Sequence, residues 1–128
     1  MNEPIIISIV APVYGVERFI AKFAESVLSQ SYPHIQFVFV DDGTKDSSID
    51  ILNELIDSRF PHLRERVVIV HKQNAGLPAA RQTGMEYVTG DYVWHVDSDD
   101  WIAEDAVEKL VSRIMETGSD VICFGYMK

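Results

Sequence analysis

Three carboxylates within four positions directly follow a strand-like run of the sequence. Residues 92–96 are β-branched or aromatic apart from one histidine, which is typical of a buried strand, and Asp97, Asp99 and Asp100 come immediately after them. Carboxylates crowded at a strand end raise one another's pKa unless a cation or several hydrogen-bond donors neutralise them. Because Mg²⁺ and Mn²⁺ prefer carboxylate oxygens and often hold substrate phosphates as well, the run predicts a divalent-metal site for a phosphate-bearing ligand.

The same acidic run also has a second interpretation. It could form a turn and the N-terminus of the next helix, where acidic side chains cap backbone amides and suit the helix dipole. The two interpretations are separated by the surrounding elements, since only the first requires other ligand-binding groups at the same edge of the fold.

Length, charge and cysteine content limit the class of protein. A chain of 128 residues fits one domain, here residues 1–128, and a net charge of −9 argues against a general nucleic-acid binder while leaving room for a small anionic ligand. The one cysteine, Cys123, lies in an apolar run and predicts a buried core residue. The first four residues lack the basic start of a signal peptide, so we expect a cytoplasmic location.

Strand and helix patterns alternate along the whole chain. Apolar runs predict strands over residues 5–11, 35–40, 66–71, 92–96 and 120–126, with Pro12 ending the first of them. Helical spacing predicts helices over residues 17–31, 48–58, 77–88 and 103–117, with Gly118 as the last C-cap. Alternation of this kind predicts an α/β fold with a mainly parallel open sheet and helices on both faces.

The unusual loops all follow strands. In an open parallel sheet ligands bind outside the carboxyl ends of the strands, so this topology gathers Tyr14, two acidic loops and Arg81 along one edge. That convergence favours the metal site over the helix cap. The loop after the first strand is not Gly-x-Gly-x-x-Gly, and the chain has no Gly-Lys-Ser/Thr loop, which excludes a dinucleotide-binding Rossmann unit and a P-loop.

Several short motifs are familiar when they are taken together, in order and with their spacing. They are Ala-Pro-Val-Tyr at 11–14, Ser-Val-Leu-Ser-Gln-Ser-Tyr at 26–32, Val-Asp-Asp-Gly-Thr at 40–44, Asn-Ala-Gly-Leu-Pro-Ala-Ala-Arg at 74–81, Gly84, Gly-Asp-Tyr at 90–92 and Asp-Ser-Asp-Asp at 97–100. On these motifs, which run from Ser8 to about Ile114, the chain resembles the donor-binding part of family 2 of the inverting nucleotide-sugar glycosyltransferases. The resemblance implies the GT-A fold, here without its C-terminal acceptor part.

The resemblance assigns the nucleoside to the ends of the first two strands. It implies that Pro12 and Tyr14 line the base pocket, and an aromatic ring at a strand end does suit a flat heterocycle. Asp42 would accept the imide N–H of the base, and Asp41 would lie close to the ribose. An alternative for both carboxylates is capping of the next helix, which Asp46 could perform without them.

The remaining nucleotide-binding positions follow the third strand. Asn74 and Gly76 are expected to shape a turn there rather than to touch the ligand. Arg81 matches an arginine of the family near the diphosphate, where a guanidinium fork suits an anion. It could equally pair with Asp97 or Asp42 and organise the loops.

The acidic run resembles the Asp-x-Asp motif of the family. Asp99 would be the direct ligand of Mn²⁺ or Mg²⁺, Asp97 would reach the ribose or the metal, and Ser98 between them would belong to the nucleotide site. Trp101 next to the run could be a sugar platform or a core anchor for the following helix.

The function implied is metal-dependent transfer of a sugar from a UDP-type nucleotide sugar to an unknown glycan or lipid, with inversion, in cell-surface polysaccharide or glycolipid synthesis. The acceptor site and general base of the family lie beyond the position of Lys128, so we expect a fragment of a longer enzyme, associated at most peripherally with the inner membrane surface. A nucleotidyltransferase-like enzyme and a non-catalytic nucleotide-binding module are the alternatives.

Overall fold

A computed structural model describes residues 3–118 of the chain. The strands are β1 (Ile7–Val13), β2 (Ile35–Asp41), β3 (Val67–His71) and β4 (Tyr92–His95). They form one parallel sheet in the order β3-β2-β1-β4. The α-helices are α1 (Ile20–Leu28), α2 (Ser48–Arg59), α3 (Leu77–Met85) and α4 (Ala106–Thr117), and a 3₁₀ helix covers Pro61–Arg66.

The helices cover both faces of the sheet, as the sequence predicts. Strand residues with odd numbers in β1 and β2 pack with the apolar sides of α1, α2 and α4. On the other face Val10, Val38 and Val40 pack with Ala80 of α3. At Gly84 of α3 an added Cβ would lie 2.6 Å from Cγ1 of Val10, so glycine allows this helix to approach the sheet closely.

Pro12 does not end the first strand, contrary to the prediction. β1 continues to Val13, in register with Asp41 of β2. The carbonyl of Val10 points towards β4 and accepts a hydrogen bond from the N–H of Val96. Residues two apart on a strand point their backbone groups in the same direction, so those of Pro12 also point to the β4 side. Pro12 therefore directs its nitrogen past the end of β4, where no ladder bond is lost.

The strand order reverses at β1, because β2 and β3 follow on one side and β4 lies on the other. A crevice at the carboxyl ends of the strands is expected at such a reversal, between β1 and β4.

Gly118 has the left-handed φ of 66° that the predicted C-cap requires. The predicted strand over residues 120–126, including Cys123, lies outside the described residues. Among helices of residues 3–118, none combines the length and apolar character needed to cross a bilayer.

Candidate functional site

The acidic loop after β4 brings three carboxylates together. Asp97, Asp99 and Asp100 each offer an oxygen, and these oxygens lie within 4.8 Å of one another. Asp99 is exposed and Asp100 is buried. The N-cap of α4 is Asp105, so the run does not cap that helix. Three hard oxygen donors in one loop fit a divalent cation such as Mg²⁺ or Mn²⁺.

Arg81 of α3 pairs with the first of these carboxylates. Its Nη2 donates to Oδ1 of Asp97 at 2.8 Å, which is one of the two roles that the sequence left open for it. Within residues 3–118, Nε of Arg81 and Nδ1 of His95 are buried and have no hydrogen-bond partner. Burial and the Arg81 charge lower the pKa of His95 while Asp97 opposes the shift, so the neutral form of His95 is favoured.

Ser98 faces the interior rather than the cleft. It is buried, and its hydroxyl donates a hydrogen bond to the carbonyl oxygen of Pro12. Ser98 and Pro12, both predicted to contact the nucleotide, thus join the loop after β4 to the end of β1.

Asp42 comes directly after β2, and its carboxylate is surrounded by the loop that follows β3. Its Oδ1 accepts hydrogen bonds from Nζ of Lys72 at 3.0 Å and the backbone N–H of Ala75 at 3.1 Å. Its Oδ2 accepts from the N–H of Gly76 at 3.1 Å and from Nδ2 of Asn74 at 3.2 Å. Burial of Asp42, which is 1% exposed, opposes ionisation, but the bonds from Lys72 and the two amides outweigh it and lower the pKa.

Asn74 and Gly76 shape that loop. Nδ2 of Asn74 also donates to the carbonyl oxygen of Asp42 at 3.1 Å, and Gly76 has a φ of 93° immediately before α3. A Cβ on Gly43 would lie 2.9 Å from the nitrogen of Asn74, so the loops after β2 and β3 are in direct contact.

Asp41, one residue earlier, remains partly accessible. Its side chain is 16% exposed, Oδ1 accepts from the N–H of Thr44 at 2.9 Å, and Oδ2 lies 2.8 Å from Nδ1 of His71. No sequence motif indicated a role for His71 or Lys72. Their position at the end of β3 was the available signal, because the carboxyl ends of parallel neighbours share one edge of the sheet.

The loop after β1 carries Tyr14, which is 47% exposed and follows Val13, the residue in register with Asp41. An exposed aromatic ring at the end of a strand can pack on a flat heterocycle. The edge of the sheet formed by the carboxyl ends of the strands thus carries Tyr14, Arg81 and Asp97.

A network around Asp46 fixes the shape of this edge. Its carboxylate accepts hydrogen bonds from Thr44, Ser48 and the N–H of Glu17. The same Thr44 hydroxyl accepts a hydrogen bond from the N–H of Gly15, and the Ser48 hydroxyl accepts one from the N–H of Val16. Burial disfavours the charged form of Asp46, yet these bonds prevail and lower its pKa to about 2.

Trp101 follows the acidic loop and is partly buried. Nζ of Lys22 on α1 lies 3.7 Å from the centroid of its ring, so one face of the indole is covered by a cation.

Comparison with known proteins identifies the family. A family model described as glycosyl transferase family 2 matches residues 8–128. Glycosyltransferase GlyA of Streptococcus pneumoniae is 40% identical over 120 residues, which are 94% of this chain and 16% of that protein. The poly(ribitol-phosphate) beta-glucosyltransferase of Bacillus spizizenii is 35% identical over 119 residues, 90% of this chain and 18% of that protein.

Solved structures show the same fold. The crystal structure of S. aureus TarS 1-349 in complex with UDP-GlcNAc matches 96% of this chain and 37% of its own, with a TM-score of 0.80 and 24% identity. The mannosyltransferase PcManGT from Pyrobaculum calidifontis, in complex with GDP-Man and Mn²⁺, matches 88% of this chain and 33% of its own, with a TM-score of 0.80 and 20% identity. These matches confirm the predicted GT-A fold.

The chain spans only a fraction of these relatives, from 16% of GlyA to 37% of the TarS fragment. The family match nevertheless covers nearly all of it, from residue 8 to its last residue. The chain therefore belongs to glycosyl transferase family 2.

Proposed function

We propose that this chain binds the donor in a metal-dependent glycosyltransferase that uses a UDP-type nucleotide sugar. The observation that carries the proposal is the placement of the carboxylate group of Asp97, Asp99 and Asp100 at the same sheet edge as Tyr14 and Asp41. Family membership supports transfer of a sugar, and the complexes of TarS with UDP-GlcNAc and of PcManGT with GDP-Man and Mn²⁺ support a nucleotide-sugar donor and a metal.

The uracil ring packs on Tyr14 in this proposal, beside Pro12, and its imide N–H donates to Asp42, with Asp41 close to the ribose, as the family resemblance implies. The strand register supports this arrangement, because Val13 pairs with Asp41 and Tyr14 therefore follows at the level of Asp42. The donors of the loop after β3 hold the carboxylate of Asp42 in place. Asp41 accepts from only two groups and keeps lone-pair sites for a ribose hydroxyl.

The diphosphate lies next to the acidic loop. Asp97, Asp99 and Asp100 would hold Mn²⁺ or Mg²⁺, and a bound cation would neutralise charge on the departing diphosphate. Arg81 keeps Asp97 in place through its hydrogen bond and adds a positive charge near the phosphates. Without the cation, three neighbouring carboxylates would repel the donor.

The transfer itself is an in-line displacement at the anomeric carbon with inversion. An acceptor hydroxyl attacks the sugar, the bond to the diphosphate breaks, and a base takes the hydroxyl proton. We propose that this base and the acceptor site lie outside residues 3–118, in a longer enzyme.

The proposed acceptor is a cell-surface glycan or lipid. The name of the poly(ribitol-phosphate) beta-glucosyltransferase supports a role in polymer synthesis. In this proposal the protein works in the cytoplasm at the inner membrane surface, which rests on the family resemblance alone. Inversion at the anomeric carbon rests on the same resemblance.

Titration of the chain with UDP, in Mn²⁺ and in EDTA, tests the proposal. We expect Mn²⁺ to raise the affinity about tenfold or more, because the carboxylates would hold the cation and its charge would offset that of the phosphates. Asp99→Asn should remove most of this gain. Glu104→Gln is the matched control, since Glu104 is an exposed carboxylate outside the group of three and its loss should leave the gain intact. A UDP affinity equal in Mn²⁺ and in EDTA, or an absence of UDP binding, would refute the proposal.

A further inference from the structure

We propose that His95 is a positioning residue that holds Arg81 against Asp97 and thereby orients the first carboxylate of the acidic loop. The inference rests on the proposed function, in which Asp97 is one of the residues that hold the divalent cation.

The face of the sheet that α3 covers brings the three side chains together. His95, the last residue of β4, is in register with Val10 of β1, and Val10 packs with Ala80 of α3. Residues in register on parallel neighbours direct their side chains to the same face of a sheet, so the imidazole lies on the α3 side. Arg81 follows Ala80 on that helix, and its guanidinium reaches Asp97, two residues after His95.

The guanidinium of Arg81 is held on its outer side only. Its Nη2 donates to Oδ1 of Asp97 at 2.8 Å, and with the Arg81 side chain 36% exposed this ion pair is open to solvent. Its Nε is buried and has no hydrogen-bond partner among residues 3–118. A half-open ion pair contributes little by itself, because a long side chain must be fixed in one of many rotamers. A partner for Nε would hold the guanidinium in the orientation that meets Asp97.

Nδ1 of His95 is the group that can provide this partner. It too is buried without a hydrogen bond in the part of the chain that the structure describes. Arginine only donates, whereas a neutral imidazole, the form favoured beside a guanidinium, carries one lone pair, which is at Nδ1 when the proton is on Nε2. An unpaired donor and an unpaired acceptor on the same covered face are complementary. A small side-chain rotation or one shared water molecule joins them.

Packing alone does not account for a histidine at this position. The apolar cluster between α3 and the sheet consists of valine and alanine side chains. An apolar residue in place of His95 would extend that cluster and would leave no buried nitrogen without a partner. The imidazole is therefore explained by the polar group that it faces, which is the buried side of Arg81.

A double-mutant cycle in urea unfolding tests the contact between the two side chains. His95→Leu should lower the urea midpoint when Arg81 is present, because Nε then has no acceptor. In the Arg81→Met background the same substitution should leave the midpoint unchanged or raise it, since the imidazole has no donor there to accept from. Equal shifts in both backgrounds would mean that the two side chains do not interact, and would overturn the inference.

The gain in UDP affinity on replacing EDTA by Mn²⁺ tests the consequence for the acidic loop. His95→Leu should reduce this gain about fivefold, the factor expected for one net hydrogen bond. His95→Asn should recover most of it, because the asparagine oxygen can accept close to the position of Nδ1. Val93→Ala is the matched control: Val93 lies two residues earlier on the same face of β4 and belongs to the apolar packing, so the gain should persist.

The outcomes separate the inference from the proposed function. An unchanged gain in His95→Leu would overturn the positioning role, as would an equal reduction in Val93→Ala, which would mean general damage to this face. Failure of His95→Asn to restore the gain would show that the lone pair is not what matters. All three results leave the proposed function standing if the wild-type chain binds UDP more tightly in Mn²⁺. A wild-type chain without that gain would refute the proposed function and the positioning role together.

Discussion

The hydroxyl of Ser98 donates a hydrogen bond of 2.7 Å to the carbonyl oxygen of Pro12, and Ser98 is only 4% exposed. The bond connects the acidic loop to the end of β1, across the place where the strand order reverses. Backbone groups of Pro12 point beyond the last residue of β4, so its carbonyl would otherwise lack a ladder partner on that side. Ser98 provides one and, in doing so, sets the position of Asp97 and Asp99.

Ser98→Ala should therefore affect both stability and metal-assisted binding. We expect the free energy of unfolding to fall by about 1–2 kcal/mol, because the carbonyl of Pro12 is left in the interior with no donor. The affinity for UDP should fall more in Mn²⁺ than in EDTA, since the displaced loop carries the carboxylates. Urea unfolding and UDP titration measure the two effects. Ser58→Ala removes an exposed hydroxyl from α2 and is the control. Equal losses of affinity with and without metal would show that Ser98 does not position the acidic loop.

Asp42→Asn should destabilise the chain by about 2–4 kcal/mol. The amide that replaces one carboxylate oxygen is itself a donor, so it faces the donors of the loop after β3 and leaves the largely buried Lys72 ammonium without a full counter-charge. A double-mutant cycle with Lys72→Met isolates that pair. The double variant should be more stable than the sum of the two single losses predicts. Strictly additive losses would mean that the ion pair contributes nothing of its own.

The fold could be predicted from the sequence because its signals are local. The β-branched runs lie in a sheet covered on both faces, and the helical spacing of apolar residues lies against that sheet. The sequence also predicts that the loops after the strands lie at one edge of the sheet, since the alternation of strand and helix makes the strands parallel. Pro12 was misjudged because its effect depends on where the neighbouring strand ends, which no local pattern records.

Individual hydrogen bonds could not be predicted in the same way. Asp41 and Asp42 are adjacent and chemically identical, yet one is 16% exposed in its side chain and the other is enclosed by four donors. The four donors that enclose Asp42 lie 30 to 34 positions further along the chain. The sequence places both carboxylates at the edge, but tertiary packing decides which hydrogen bonds each of them makes.

The pH dependence of stability should carry a signature of Asp46. Its pKa is about 2 in the folded chain against an ordinary 3.8, so its ionised form contributes stability above pH 3.8 that is lost as the pH falls towards 2. Because Asp46 is partly exposed, we expect a contribution of about 1 kcal/mol rather than the full value of the shift. The cost of Asp46→Asn in urea unfolding should thus be larger at pH 5 than at pH 2. Ser48→Ala removes one hydrogen-bond donor to the Asp46 carboxylate. In this variant the free energy of unfolding should still fall between pH 5 and pH 2, but by less than in the wild-type chain. A cost of Asp46→Asn that is equal at both pH values would mean that the carboxylate is no more stabilised in the folded chain than in the unfolded one.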